Sequence, residues 1–390
     1  MNPVACSRRG FALAEVLVAT TITLLLAGAL LSILGPGNMA FRAQPARIEM
    51  QQRLRFAADV LNARLVGAGS APTGGLAAGA LGLQTACLLP YRFGHRGADP
   101  PGTWRESTLS VIAGKPGAAV AFLGAPFLAG ASVAVLDSSR CAPSSPACGI
   151  AADTNVLLLP GGGQADLYRV DVVSPPVLTL VRASGTAPRS YPAGTPVVPV
   201  DIDVFYLRDE EDGLQLMRYD GWESDLPLLD HVARFRVRWF GAAEPPRFRE
   251  AAGDAVPGPT YGPEPPAGAS DVAEDSWGPG ENCLFSRAGG APVPRLPALG
   301  TSRLSVVPLD GAALTDGPWC ADAATPGRFD ADLFRVRRVR VSLVVEAAAT
   351  GSRGRDPRLF SRPGVGGSPH AVVPDQQLTF EVVPRSLGGW

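Results

Sequence analysis

The chain has 390 residues, with 35 Lys and Arg against 36 Asp and Glu, so its formal net charge is −1. No strong basic bias points to a nucleic-acid partner. The 45 glycines and 38 prolines suit many short strands joined by long loops rather than a helical domain, and the length predicts one large domain with insertions or two smaller ones.

The first informative element is residues 7–34. Arg8, Arg9 and Gly10 precede a run of 24 residues whose single ionisable side chain is Glu15. Such a run is long enough to cross a hydrocarbon layer of roughly 30 Å as a helix. The two arginines hold the N-terminus in the cytoplasm. A carboxylate in a spanning segment costs about 2.5–3.5 kcal/mol at mid-bilayer and less towards the interface. Glu15 therefore calls for a partner, and nothing else in the run can be one. A chain terminus, a lipid head group or another molecule has to supply it. An ordinary secretory signal peptide fits poorly, because the run is too long and no small-x-small cleavage site with a polar flank follows it. Cys6 is not a lipid-attachment site, since no apolar stretch precedes it.

Gly10-Phe11-Ala12-Leu13-Ala14-Glu15 resembles the processing site of type IV prepilins and of type II secretion pseudopilins. The resemblance implies that Met1–Gly10 is a leader removed by a prepilin peptidase, with cleavage between Gly10 and Phe11. It also implies N-methylation of Phe11 and a role for Glu15, by then the fifth residue, in assembly. There Glu15 meets the N-terminal amine of a neighbouring subunit, and an ammonium and a carboxylate attract far more strongly at low dielectric than in water. An uncleaved signal anchor is the plainer alternative.

Gly35-Pro36-Gly37 interrupts the apolar run, which predicts a kink or short break. Residues 38–66 then stay helix-compatible, and Met50, Leu54, Ala57, Leu61 and Leu65 form one apolar stripe. Gly67 and Gly69 end the helix. Residues 11–66 together span about 80 Å at roughly 1.5 Å per residue. This two-part helix is the pilin pattern: 11–34 for membrane and filament core, 35–69 as its amphipathic continuation.

Residues 70–390 read as a β-rich periplasmic or extracellular region. It opens with a loop to about 105, followed by strand-like runs at 109–113, 118–123, 131–136, 155–159, 166–173 and 177–183. Val200–Leu207 and Leu214–Tyr219 flank an acidic turn and predict a hairpin. Leu228–Phe240 predicts a third strand, with Phe235, Val237 and Trp239 on one face and Arg234, Arg236 and Arg238 on the other. The run 199–240, with Leu228-Leu229-Asp230 leading to Val237-Arg238-Trp239-Phe240, resembles PilW-type minor pilins and the J-type minor pseudopilin of type II secretion. Residues 241–300 form a Pro/Gly-rich excursion of the kind that carries binding loops. In 333–346, Val339, Val341, Leu343 and Val345 alternate against Arg338, Arg340, Ser342 and Glu346, and Gln377–Val383 reads as the last strand.

Five cysteines follow the leader. Cys141 and Cys148 bracket a Pro/Ser loop that a local bridge can close, and Cys283 and Cys320 bracket another loop-rich stretch. That pairing leaves Cys87 over, although sequence alone permits Cys87 to take one of the others. No CxxC occurs, and His95, His231 and His370 are far apart, so no metal site is expected. GxSxG, HExxH and a phosphate loop are missing, and neither an enzyme nor a cofactor is expected. Asp209-Glu210-Glu211-Asp212-Gly213 reads as a solvated turn rather than a calcium loop, its carboxylates being adjacent instead of alternating. The arginine rows at 234–238 and 335–340 read as stems lying along exposed strand faces with wet heads, so DNA is not an expected partner. Trp104, Trp222, Trp277 and Trp319 either anchor a partner or close the core.

The expected fold is therefore α+β, a long N-terminal helix packed on an antiparallel sheet domain with long loops. The expected function is that of a minor pilin in a type IV pilus-like filament, with prepilin peptidase, other minor and major pilins and the inner membrane as partners and no surface ligand identified. The alternatives are a minor pseudopilin of a type II secretion system and a signal-anchored periplasmic binding module or adhesin. Replacing Gly10 with a bulky residue is expected to leave full-length precursor in the membrane; intact-mass measurement showing normal maturation of that variant would refute the cleavage assignment.

Overall fold

A computed structural model of the chain describes residues 12–70, 86–100, 103–159, 165–184, 188–242, 285–288, 291–294, 306–315, 333, 335–367 and 372–384. The architecture is α+β, with one long N-terminal helix and antiparallel sheets. The backbone divides into two compact units. One takes in the helix as far as Arg53 together with Glu346–Gln376, and the other takes in Leu54–Val345 and the chain from Gln377 onward.

Helix α1 (Leu13–Val66) is a single element of 54 residues. The break expected at Gly35-Pro36-Gly37 is not there: helical backbone runs through all three residues, and through Pro45 as well. Each proline deletes one donor, while the turns on either side keep theirs, and a helix already nucleated propagates cheaply. The stripe Met50, Leu54, Ala57, Leu61 and Leu65 is buried as its spacing requires, and Ala43 extends it. Gly69 (φ 72°) ends the helix region and donates its N–H to Ile112 O at 2.9 Å.

In the second unit a ten-stranded sheet is built from β1 (Leu88–Leu89), β2 (Thr108–Gly114), β3 (Ala121–Phe122), β4 (Val133–Val135), β5 (Asn155–Leu158), β6 (Asp166–Ser174), β7 (Val177–Arg182), β8 (Pro196–Glu210), β9 (Gly213–Tyr219) and β10 (Asp225–Leu229). Its order is β1-β2-β8-β5-β6-β7-β4, with β3 and β9 also on β8 and β10 on β9. The 15-residue β8 organises the sheet. Its first part pairs with β5 and β3 and its second part with β2 and β9. The expected β8–β9 hairpin closes on the pair Glu210 and Gly213, leaving Glu211 and Asp212 as its turn. The Ala/Gly-rich stretch read as loop contributes the two-residue β1.

The single strand expected over 228–240 is two strands. His231 adopts φ 53°, a left-handed backbone that ends strand geometry. Before it, β10 stays on β9. After it, β11 (Val232–Ala242) joins a second sheet. Most of 241–300 lies outside the described residues, and within it β12 (Phe285–Ala288) and β13 (Ala291–Pro294) pair as a hairpin. The second sheet has the order β14-β11-β15-β16, with β14 at Val306–Leu309, β15 at Val336–Val345 and β16 at Gln376–Val382. Its inner face is made of cross-strand apolar pairs: Phe235 with Leu343, Val237 with Val341 and Trp239 with Val339. All six are buried, and such pairs are the stabilising unit of a sheet.

Among the described residues the buried carboxylates Asp166, Asp203 and Glu346 each have a guanidinium partner, and the last two have two. In the first unit Glu346, expected on the wet face of its strand, is fully buried instead. β15 ends at Val345, so strand alternation no longer governs it, and Arg353 (3.1 Å) and Arg362 (Nε, 2.9 Å) close on its oxygens. In the second unit Asp203 on β8 accepts from Arg218 Nε at 2.6 Å and lies 3.3 Å from Arg64 Nε. One carboxylate thus ties the end of α1 to the β8–β9 hairpin. Asp203→Ala is expected to lower the unfolding free energy by about 2 kcal/mol, below the usual loss for a broken buried pair because both arginines are part-exposed and regain water. Urea denaturation of the detergent-solubilised protein measures this, and a loss under about 0.5 kcal/mol would show that the ion pairs are incidental.

Candidate functional site

The candidate site lies on the N-terminal segment of helix α1. Over Leu13–Leu30 the mean hydropathy is 2.0 and none of the segment is buried, so this helix is long and apolar enough to cross a bilayer. Leucine, valine and isoleucine point outward on every side, among them Leu13, Leu17, Leu24, Leu25 and Leu30. Burying one such side chain is worth about 1.5–3 kcal/mol, so leaving this set in water costs on the order of 15 kcal/mol. That is as much as a whole domain's stability.

The polar atoms of this helix are nearly all dealt with locally. Thr20, Thr21 and Thr23 each donate their hydroxyl to the carbonyl four residues back, at 2.9, 2.9 and 2.7 Å. This is how a hydroxyl is carried through an apolar medium without an external partner. Glu15 sits on the first turn and accepts the backbone N–H of Ala12 on Oε2 at 3.1 Å. Its carboxylate satisfies one of the open donors at the helix start, and it stands at the head of a shallow groove lined by Val16, Ala19, Thr20, Thr23 and Leu24. At Gly28 an added Cβ would meet nothing within 4 Å.

The remaining predicted residues are distributed as follows. Gly10 and Phe11 lie outside the described residues, as do Cys283, Cys320, His370, Trp277 and Trp319. Cys141 and Cys148 form a disulfide with their Cα atoms 4.8 Å apart. Trp104 packs tilted on Trp239 at 6.2 Å between ring centroids, and Trp222 is buried with His95 stacked on it at 4.3 Å. Among the described residues no three His, Cys, Asp or Glu side chains converge as a metal site would require.

The arginine rows divide in a way that strand alternation did not foretell. Arg236 pairs with Glu106 (3.1 Å), and Arg338 (3.0 Å) and Arg340 share Glu381. Arg338 and Arg340 also lie over the Phe240 ring. Arg335, expected as a wet stem, is buried and donates to Ala242 O (3.1 Å) and Ala313 O (3.0 Å). Its guanidinium therefore joins backbone segments from distant parts of the sequence. The threonine back-bonds and the Arg335 contacts went unnoticed in the sequence; three threonines at 20, 21 and 23 of a leucine-rich run were the available signal.

No family model matches the chain, and no curated protein matches it.

Cys87 is buried and, among the described residues, bonded to no other cysteine. Burial pushes its thiol from 9.0 up to about 12, against smaller opposite effects from a backbone hydrogen bond and Arg337. An unfolded chain ionises this thiol near 9.0 while the folded one holds the proton to about 12. Its contribution to stability is thus complete below the first value and is lost as pH rises towards the second. In the native protein at pH 8 a maleimide is expected to leave Cys87 unlabelled, with full labelling after denaturation; mass spectrometry of the peptide reads both states. Rapid native labelling would contradict the burial.

Proposed function

We propose that the chain is a minor pilin: a precursor anchored in the membrane by α1, processed between Gly10 and Phe11, and then inserted into a type IV pilus-like filament. The observation that carries this reading is an exposed, all-round apolar helix with one carboxylate, Glu15, on its first turn. A bilayer covers such a helix before assembly and the helices of other subunits cover it afterwards. Ala14, Ala19, Ala27 and Gly28 permit the close approach that helix packing without a hydrophobic driving force depends on. Head-to-tail contacts of this type do not close on themselves and propagate as a filament. A large 70–390 region rich in glycine and proline suits a subunit used in low copy near the tip, where it primes assembly, better than one repeated densely along a shaft.

One observation favours a second reading, an uncleaved anchor bearing a periplasmic module. Glu15 already has a partner within its own chain, the N–H of Ala12. Magnitudes favour assembly. A carboxylate at a helix N-terminus gains about 0.3–1 kcal/mol, while the cost of burying it rises towards about 2.5–3.5 kcal/mol as it moves from the interface into an apolar filament core. A neighbour's ammonium supplies the rest.

Mass spectrometry of the N-terminal peptide decides between these readings: methylated Phe11 supports the filament subunit and an intact Met1 supports the anchor. Glu15→Leu is expected to be processed normally while its incorporation into filaments falls at least about tenfold, the equivalent of losing one ion pair of that strength. Immunoblotting of sheared filaments measures this. Wild-type incorporation of the variant would end the pairing role.

A further inference from the structure

Three segments that are remote in sequence meet at His95, all within the second unit. Its backbone N–H donates to Gly221 O at 2.7 Å. Its ring stacks on Trp222 with 17° between the planes. Its Nδ1 accepts the backbone N–H of Ser184, just beyond β7, at 2.9 Å, and the Ser184 hydroxyl donates to His95 O at 2.7 Å. Next to it the Arg96 N–H donates to the Tyr219 hydroxyl (2.9 Å), which donates in turn to Trp222 O (2.9 Å). The loop between β1 and β2, the end of β7 and the β9–β10 turn thereby meet at one residue, whose ring supplies the Trp222 stack and the acceptor for the Ser184 amide.

The tautomer follows from the partner. A backbone N–H can only donate, so Nδ1 presents its lone pair and the ring's proton sits on Nε2. A second proton must go to Nδ1, where it faces the Ser184 N–H head-on. The amide hydrogen bond is then replaced by a donor–donor contact, and the new Nδ1–H turns to the Ser184 hydroxyl oxygen 3.1 Å away. We infer that His95 is an acid-operated latch, holding the Ser184 amide beside the β9–β10 turn while neutral and releasing that amide on protonation.

The charges around the ring come from each element packed there. Arg96 on the same loop opposes protonation and Glu223 on the β9–β10 turn favours it, the two lying 3.6 Å apart. Arg169 of β6 lies 5.8 Å from the Trp222 ring and is held by Asp153 at 3.1 Å. The Asp220 carboxylate is occupied by the N–H groups of Trp222, Glu223 and Ser224, and burial keeps Tyr219 neutral. The balance lowers the His95 pKa from 6.5, burial being the largest cause and Arg96 the next, with Glu223 acting against them. An unfolded chain therefore takes up this proton before the folded one does. The latch contributes fully above pH 6.5 and weakens as the pH falls below that value.

Hydrogen–deuterium exchange of the full-length protein in detergent, converted to protection factors at each pH, tests this. Protection of the Ser184 amide is expected to fall about tenfold between about pH 7.5 and 5 in the wild type. In His95→Gln, which cannot titrate, the step is expected to vanish. Arg96→Gln and Glu223→Gln replace exposed side chains and keep the assay informative should His95→Gln misfold: the first is expected to move the midpoint up and the second down. Protection of Ser184 that is flat with pH in the wild type, a full step in His95→Gln, or midpoints that ignore both charge changes would overturn the latch. The inference is independent of processing and filament assembly.

Discussion

An apolar helix without a protein interior of its own constrains everything else in this molecule. From Leu13 to Leu30 the side chains are exposed on all sides, and the free energy of keeping them in water rivals the stability of a folded domain. The segment is long and apolar enough to cross a bilayer, and apolar surroundings of that kind remove the cost. Polar groups inside such a segment have to be neutralised from within or from a partner. The threonines do so from within, through carbonyls one turn back. Glu15 does so only in part, through the Ala12 N–H on one of its two oxygens.

The same helix changes character along its length without a break. Beyond Pro45 its stripe of Met50, Leu54, Ala57, Leu61 and Leu65 is buried. Near its end Arg64 reaches Asp203 in the middle of β8. That carboxylate also holds Arg218 on β9, so helix and hairpin share one buried charge. Strand β8, which has partner strands on both of its edges, passes that attachment to the rest of its sheet. Charges buried in this way are retained only with partners, and Glu346 with Arg353 and Arg362 repeats the device in the other unit.

Local periodicity made much of this legible. The 3–4 spacing of the helix stripe, the alternation in 235–239 and 339–345, the acidic turn between β8 and β9 and the short Cys141–Cys148 loop are all patterns local in the sequence. Each has its counterpart in the structure. Where periodicity misled, the cause was a change of geometry it cannot register. A left-handed His231 split one expected strand between two sheets. The end of β15 at Val345 freed Glu346 to turn inward. Glycine and proline at 35–37 did not outweigh the cooperativity of the helix around them.

Of the features bearing on function, the amino-acid sequence by itself determined the apolar span, its lone acid, the basic flank and the resemblance at Gly10-Phe11, because each is a property of neighbouring residues. Tertiary structure alone decided which arginines are spent on Glu106, Glu381 and Asp203, that Arg335 is interior, and that His95 meets Trp222 and Ser184. Those contacts join residues tens to more than a hundred positions apart. Their energies depend on distance and burial in space, which no spacing along the chain encodes.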